Sequence, residues 1–214
     1  MTWGETVIRG VIFDLDGTLF DADYDWPAIK RALGVSGADG TILDHLQTLP
    51  PAQARKKRAL LEGIEDQATR TGHLKPAALD LLADLRRMGM KLALVTNNRE
   101  SNARYVLEQF QLGFDVVLTR DDGWYKPSGE PLLQAARRLE LSPGSLAAVG
   151  DNDLDLRAAR SASVALAVIV NPDARGFAGR CDVLVNDLGE LRSVFARLDG
   201  SDGAGETTEV VERL

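Results

Sequence analysis

The sequence predicts an α/β protein built on a doubly wound parallel sheet, with a small helical segment inserted after the first strand. Three observations predict it. Short apolar runs at 7–13, 91–95, 115–118, 146–149 and 164–170 alternate with helical patterns, the order that builds a parallel sheet covered on both faces. These runs are apolar almost throughout, as doubly buried strands must be. Residues 21–75 break the alternation and contain no such run.

The first strand ends at Asp14-Leu15-Asp16-Gly17-Thr18. Asp25-Trp26-Pro27 then reads as a helix start leading into Ala28–Leu33, and 41–49 and 52–71 continue as helices, the last with Leu60, Leu61, Ile64 and Ala68 on one side. Trp26 is expected in the packing between these helices, and Arg55-Lys56-Lys57-Arg58 on a solvated face. In 76–88, Leu79, Leu82, Leu85 and Met88 recur at helical spacing, with Pro76 near the start and Gly89 past the end. Helices at 101–110, 129–140, 152–160 and 188–197 follow. The expected organisation is a core domain of 1–20 and 76–198, a small helical cap at 21–75, and an acidic flexible tail at 199–214.

Of the 214 residues, 44% are hydrophobic and 27% charged, which supports a packed core and excludes global disorder. The net charge of -7 is concentrated in the tail, through Asp199, Asp202, Glu206, Glu209 and Glu212. No basic stripe suits a nucleic acid. The single cysteine, Cys181, permits no internal disulfide and fits a reducing compartment. The first residues lack a basic stretch followed by an apolar one, and 164–170 is too short to span a bilayer. A cytoplasmic protein with no membrane or nucleic-acid partner is expected; the oligomeric state is not legible.

Chemistry concentrates at strand ends. Asp14 and Asp16 follow the first strand, where open parallel sheets bind ligands, and Gly17 lets the chain turn away. A carboxylate there can serve as nucleophile or metal ligand. Thr96 and Asn97 end the second strand, where a hydroxyl beside free N–H groups suits a phosphate oxygen. Lys126 lies in a loop ahead of 129–140. Asp151 and Asp155 follow the fourth run and form a hard oxygen-donor pair suited to Mg²⁺. Taken singly, each has a bland reading: a turn, a helix cap, a solvated lysine.

Together, FDLDGTLF (13–20), VTN (95–97), KP (126–127) and VGDNDLD (149–155) resemble the motifs of the haloacid dehalogenase superfamily, in the subgroup of phosphohydrolases with a small helical cap after strand one. The resemblance spans about residues 7–185. It implies a Rossmann-like core and a Mg²⁺-dependent phosphatase acting on a small phosphorylated metabolite through an aspartyl-phosphate, phosphoglycolate being a reasonable first substrate. It implies Asp14 as nucleophile, Asp16 as general acid and base, and Thr96, Asn97 and Lys126 as phosphate-binding groups. Asp14, the carbonyl of Asp16 and Asp151 would hold the metal, and Asp155 would support it through water or orient Lys126.

Asp16 favours phosphate over halide chemistry, because the superfamily's dehalogenases do not keep it. Thr18-Leu19 after Gly17 resembles the phosphatases more than the sugar-phosphate mutases, which remain the alternative on this scaffold. A receiver domain places its acceptor after strand three and has no room for the insert. A silent binding module would lack a reactive group, yet Asp14, Asp16, Thr96, Lys126 and Asp151 are all present.

Overall fold

The structure is a computed structural model that describes residues 7–36, 40–173 and 176–198; the tail expected at 199–214 lies outside the described residues. In chain order the elements are β1 (Gly10–Phe13), β2 (Phe20–Asp21), α1 (Trp26–Leu33), α2 (Ile42–Thr48), α3 (Pro51–Thr71), β3 (His73–Leu74), α4 (Ala78–Arg87), β4 (Lys91–Val95), α5 (Glu100–Gln109), β5 (Val116–Leu118), α6 (Glu130–Leu139), β6 (Leu146–Gly150), α7 (Asp153–Ala162), β7 (Leu166–Val170), β8 (Val183–Val185) and α8 (Leu188–Leu198). The chain forms two compact units, one of Asp21–His73 and the other of the sequence on either side.

The larger unit is the α/β core. Its sheet has the order β5-β4-β1-β6-β7-β8, and every neighbouring pair is parallel. From β1 the chain winds outward through β4 to β5, then crosses back to β6 and winds the other way. The loops after β1 and β6 therefore diverge at a switch point, where such sheets form their ligand crevice. Ile12, Ala93, Val95, Ala148 and Ile169 join the buried faces of α6 and α7 in one core layer. Val11, Phe13, Leu92, Leu94 and Val149 are equally buried and point the opposite way by strand alternation. The strand at 183–185, three residues long and only partly buried, went unread in the sequence.

In α4 the buried stripe is Ala78, Leu81, Leu82 and Leu85, and Leu79 is 53% exposed. Three leucines within four positions satisfy helical spacing on two faces. Tertiary packing buries Leu81 in place of Leu79 beside Leu82 and Leu85. Gly89, at φ +74°, ends the helix as expected, its N–H donating to the Arg86 carbonyl.

The smaller unit packs Ile29, Leu33, Leu46 and Leu61 into a core of its own. Asp25 caps α1 by accepting the Ala28 N–H at 2.9 Å, and Thr41 and Asp44 form a capping box on α2. Three sequence expectations change here. Trp26 is 42% exposed and pairs with the Tyr24 ring at 4.5 Å between centroids, because it occupies the first residue of α1, beyond the end of the four-residue core. On α3 the buried stripe is Leu61, Glu65 and Thr69, with Leu60 turned outward. Within the basic run, Lys57 is half-buried and donates to the Leu33 carbonyl at the end of α1. Among the described residues no helix is long and apolar enough to cross a membrane.

Candidate active site

Strand register brings the sequence-predicted residues together. Phe13 pairs with Leu94 on one side and Val149 on the other. The residues that follow on the three strands, Asp14, Thr96 and Asp151 among them, therefore emerge side by side at the sheet's carboxyl edge. Asp14 keeps its N–H in the ladder, donating to the Val149 carbonyl at 2.9 Å, so its backbone is fixed while its side chain leaves the sheet. The chain then turns tightly: the N–H groups of Thr18, Leu19 and Phe20 all donate to the Leu15 carbonyl. Gly17 has φ +87°, and a Cβ on it would lie 2.4 Å from Asp151 Oδ2. Glycine is needed for both the turn and the approach of the acid.

The charged centre is buried. Lys126 Nζ donates to Asp14 Oδ1 at 2.5 Å and to Asp155 Oδ1 at 2.6 Å, and all three residues are under 8% exposed. Carboxylate oxygens of Asp14, Asp151 and Asp155 lie within 4.8 Å of one another. Burial pushes the Asp14 carboxyl well above its ordinary range; Lys126 opposes this and the other acids reinforce it. Burial, with Asp155 beside it, lifts Asp151 to about 6. Burial acts to lower Lys126, but the charges of Asp14 and Asp155 outweigh it and hold the lysine above its usual range. Burial is the first cause of both raised carboxyls, and repulsion among the acids, which one ammonium only partly offsets, adds to it.

Asp151 and Asp155 are held by the start of α7. Asn152 caps the helix through the Leu154 N–H at 2.8 Å, and Asp155 Oδ2 accepts the N–H groups of Asp151 and Asn152 at 3.3 Å. Asn152 Nδ2 donates to Asp151 Oδ1 at 3.0 Å, Thr18 Oγ1 reaches the same oxygen at 3.4 Å, and Asn171 Nδ2 holds the Asp151 carbonyl at 2.9 Å.

The loop after β4 is fixed from two sides. Thr96 is buried, and its Oγ1 accepts the Asn98 N–H at 3.0 Å. Arg120 binds the loop's carbonyls, its backbone N–H on Asn98 and Nη1 on Asn97. The Asn97 amide grips the backbone of Lys126 at both ends, donating to its carbonyl at 2.9 Å and accepting its N–H at 2.8 Å. Asp16, half-buried, accepts Asn98 Nδ2 at 3.0 Å. The sequence reading did not single out Asn98, Thr18, Asn152 or Asn171 as site residues. Thr18 and Asn152 lie inside FDLDGTLF and VGDNDLD, and Asn98 directly follows VTN, but which side chain meets which acid depends on contacts spanning up to 133 residues.

The acid cluster fits a divalent cation. Its donors are hard carboxylate oxygens, with no histidine or cysteine among them. That is the donor set of magnesium-type ions, not of softer transition metals. The unbalanced buried charge supplies a physical reason for a cation there.

Comparison with known proteins agrees with this architecture. The family model for haloacid dehalogenase-like hydrolases matches residues 43–163. An uncharacterized hydrolase of Saccharomyces cerevisiae is 29% identical over 90% of this chain and 93% of its own length. A phosphoglycolate phosphatase of Salmonella paratyphi A is 33% identical over 72% and 78%. Among solved structures, a phosphatase of the same superfamily from Thermococcus onnurineus superposes with a TM-score of 0.66 at 25% identity, covering 88% of this chain and 98% of that one. With its family model matched over more than half its length, the chain belongs to the haloacid dehalogenase-like hydrolase family and is a hydrolase.

Proposed function

We propose that this hydrolase is a Mg²⁺-dependent phosphatase that cleaves a small-molecule phosphomonoester through an aspartyl-phosphate on Asp14. The observation that carries the reading is the buried Asp14–Lys126–Asp155 chain beside Asp151. It holds a carboxylate nucleophile next to a fixed cation at the switch point of the sheet. Phosphoglycolate is the first substrate to test, since a relative of 33% identity carries that activity in its name.

Lys126 and the Thr96 hydroxyl bind the oxygens of the phosphoryl group and take up charge as it transfers. Asn97 acts through the Lys126 backbone it grips, which aims the ammonium. A carboxylate oxygen of Asp14 attacks phosphorus, the P–O bond to the alcohol breaks, and Asp16 gives its proton to the departing alkoxide. Water then attacks the same phosphorus and passes a proton to Asp16. Inorganic phosphate leaves, and the Asp14 carboxylate is restored. Asp14, the Asp16 carbonyl and Asp151 would hold Mg²⁺, with Asp155 supporting, and the ion supplies charge that offsets repulsion between carboxylate and phosphate.

The test is phosphate release from phosphoglycolate and p-nitrophenyl phosphate with Mg²⁺, with and without chelator, by wild type and Asp14→Asn. Chelator-sensitive release that the variant loses is the expected result. A folded Asp14→Asn variant releasing phosphate at the wild-type rate overturns the nucleophile assignment.

A further inference from the structure

We infer that Asn98 is a positioning residue that sets the rotamer of Asp16 for proton transfer to the leaving group. The inference rests on the phosphatase reading above. The geometry begins with the orientation of the Asn98 amide. Its Oδ1 accepts the backbone N–H of Arg99 at 2.8 Å, and a backbone N–H can only donate. The other end of the amide is therefore the NH₂ group, and it meets Asp16 Oδ2 at 3.0 Å.

A second asparagine locks that orientation. Asn102, one turn further along α5, donates Nδ2 to Asn98 Oδ1 at 3.1 Å. Asn98 and Asn102 are 4% and 6% exposed, so a rotated amide would lose these bonds without compensation from bulk water. The Asn98 backbone is pinned as well, its N–H on Thr96 Oγ1 and its carbonyl under the Arg120 N–H. A rigid donor on α5 and its entry loop thus holds one oxygen of a half-buried acid on the β1 loop.

The consequence is a division of labour on Asp16. Oδ2 is engaged by Asn98, and the carboxyl is oriented so that Oδ1 exchanges the proton with the leaving oxygen and then with water. Asn98 touches neither substrate nor the reacting phosphorus in this scheme. Its loss leaves phosphate binding in place and weakens the step in which the leaving group needs a proton.

Leaving-group dependence tests this. An alkyl ester expels a strongly basic alkoxide and depends on a well-placed acid, whereas p-nitrophenyl phosphate expels a stable phenolate. kcat/KM for both is measured with wild type, Asn98→Ala and Asn102→Ala, using phosphoglycolate or glycerol phosphate as the alkyl ester. Asn98→Ala is expected to lower the alkyl value about 10–100-fold, part of the ~10²–10⁴ that acid–base catalysis supplies. The aryl value falls far less, and the alkyl loss appears in kcat, not KM. Asn102→Ala shifts the alkyl-to-aryl ratio in the same direction by a smaller factor, and it carries the test if Asn98→Ala does not fold. An equal fall for both esters, or no change in the ratio, overturns the inference while leaving the phosphatase reading standing. A wild type inert toward aryl and alkyl esters alike overturns both.

Discussion

Asp155 divides its two oxygens between Lys126 and the start of its own helix: Oδ1 takes the ammonium at 2.6 Å, and Oδ2 caps the first N–H groups of the turn into α7. A single carboxylate therefore registers the loop carrying Lys126 against the loop carrying Asp151. The same closeness makes Gly150 obligatory, since a Cβ there would sit 2.2 Å from the Asp155 Cβ.

Lys126→Met removes the one cation from this buried cluster. Breaking a buried ion pair by deleting one partner costs about 3–5 kcal/mol, so the variant should lose that much in a urea titration at neutral pH. It should also lose phosphatase activity. A variant as stable as wild type would show that the carboxylates do not depend on the ammonium.

Gly17→Ala puts a Cβ where Asp151 Oδ2 now lies and asks an L-residue to hold φ +87°. The backbone cost is roughly 1–2 kcal/mol, and the displaced acid matters more for function. A melting temperature lowered by several degrees, with activity down at least about tenfold for a loss of roughly 1.4 kcal/mol in the transition state, is expected from paired thermal and kinetic measurements.

Divalent ion binding should be visible without turnover. A ligand held only by the folded state stabilises it by about 2.7 kcal/mol at a hundred times its dissociation constant. Mg²⁺ should therefore raise the wild-type melting temperature in a concentration-dependent way. Asp151→Asn should abolish the rise. A shift that persists in the variant would place the ion elsewhere.

Asp84 on α4 gives a pH signature far from the acid cluster. Its hydrogen bond from Arg192 on α8, with Arg87 adding charge, holds the carboxyl below its ordinary range. A depressed carboxyl contributes stability that is complete above the unfolded value near 3.9 and disappears as pH falls through the lower folded value. Asp84→Asn should thus cost about 1–2 kcal/mol at pH 7. The gap from wild type should close as acid is added below about pH 4. A gap constant down to pH 2 would exclude the ion pair as its source.

Much of the molecule was legible from local pattern. The apolar runs at 91–95 and 146–149 are β4 and most of β6, because strands buried on both faces leave no room for polar positions. The helix stops were legible where glycine takes a left-handed φ, as at Gly89. Patterns failed where periodicity was degenerate. Leu79, Leu81 and Leu82 offer two helix faces, and only tertiary packing chooses. Leu60 and Leu61 pose the same ambiguity in α3.

The sequence by itself determined the alternation of strands and helices, the position of the helical insert, and the acids, lysine and threonine at strand ends, because each follows from local periodicity or motif spacing. Tertiary structure alone decided that β1 lies between β4 and β6, so that Asp14 meets Lys126 112 residues away and Asp16 meets Asn98 82 residues away. Strand order arises from how crossovers pack on a twisted sheet, and no short-range pattern encodes which carboxylate oxygen will face which donor.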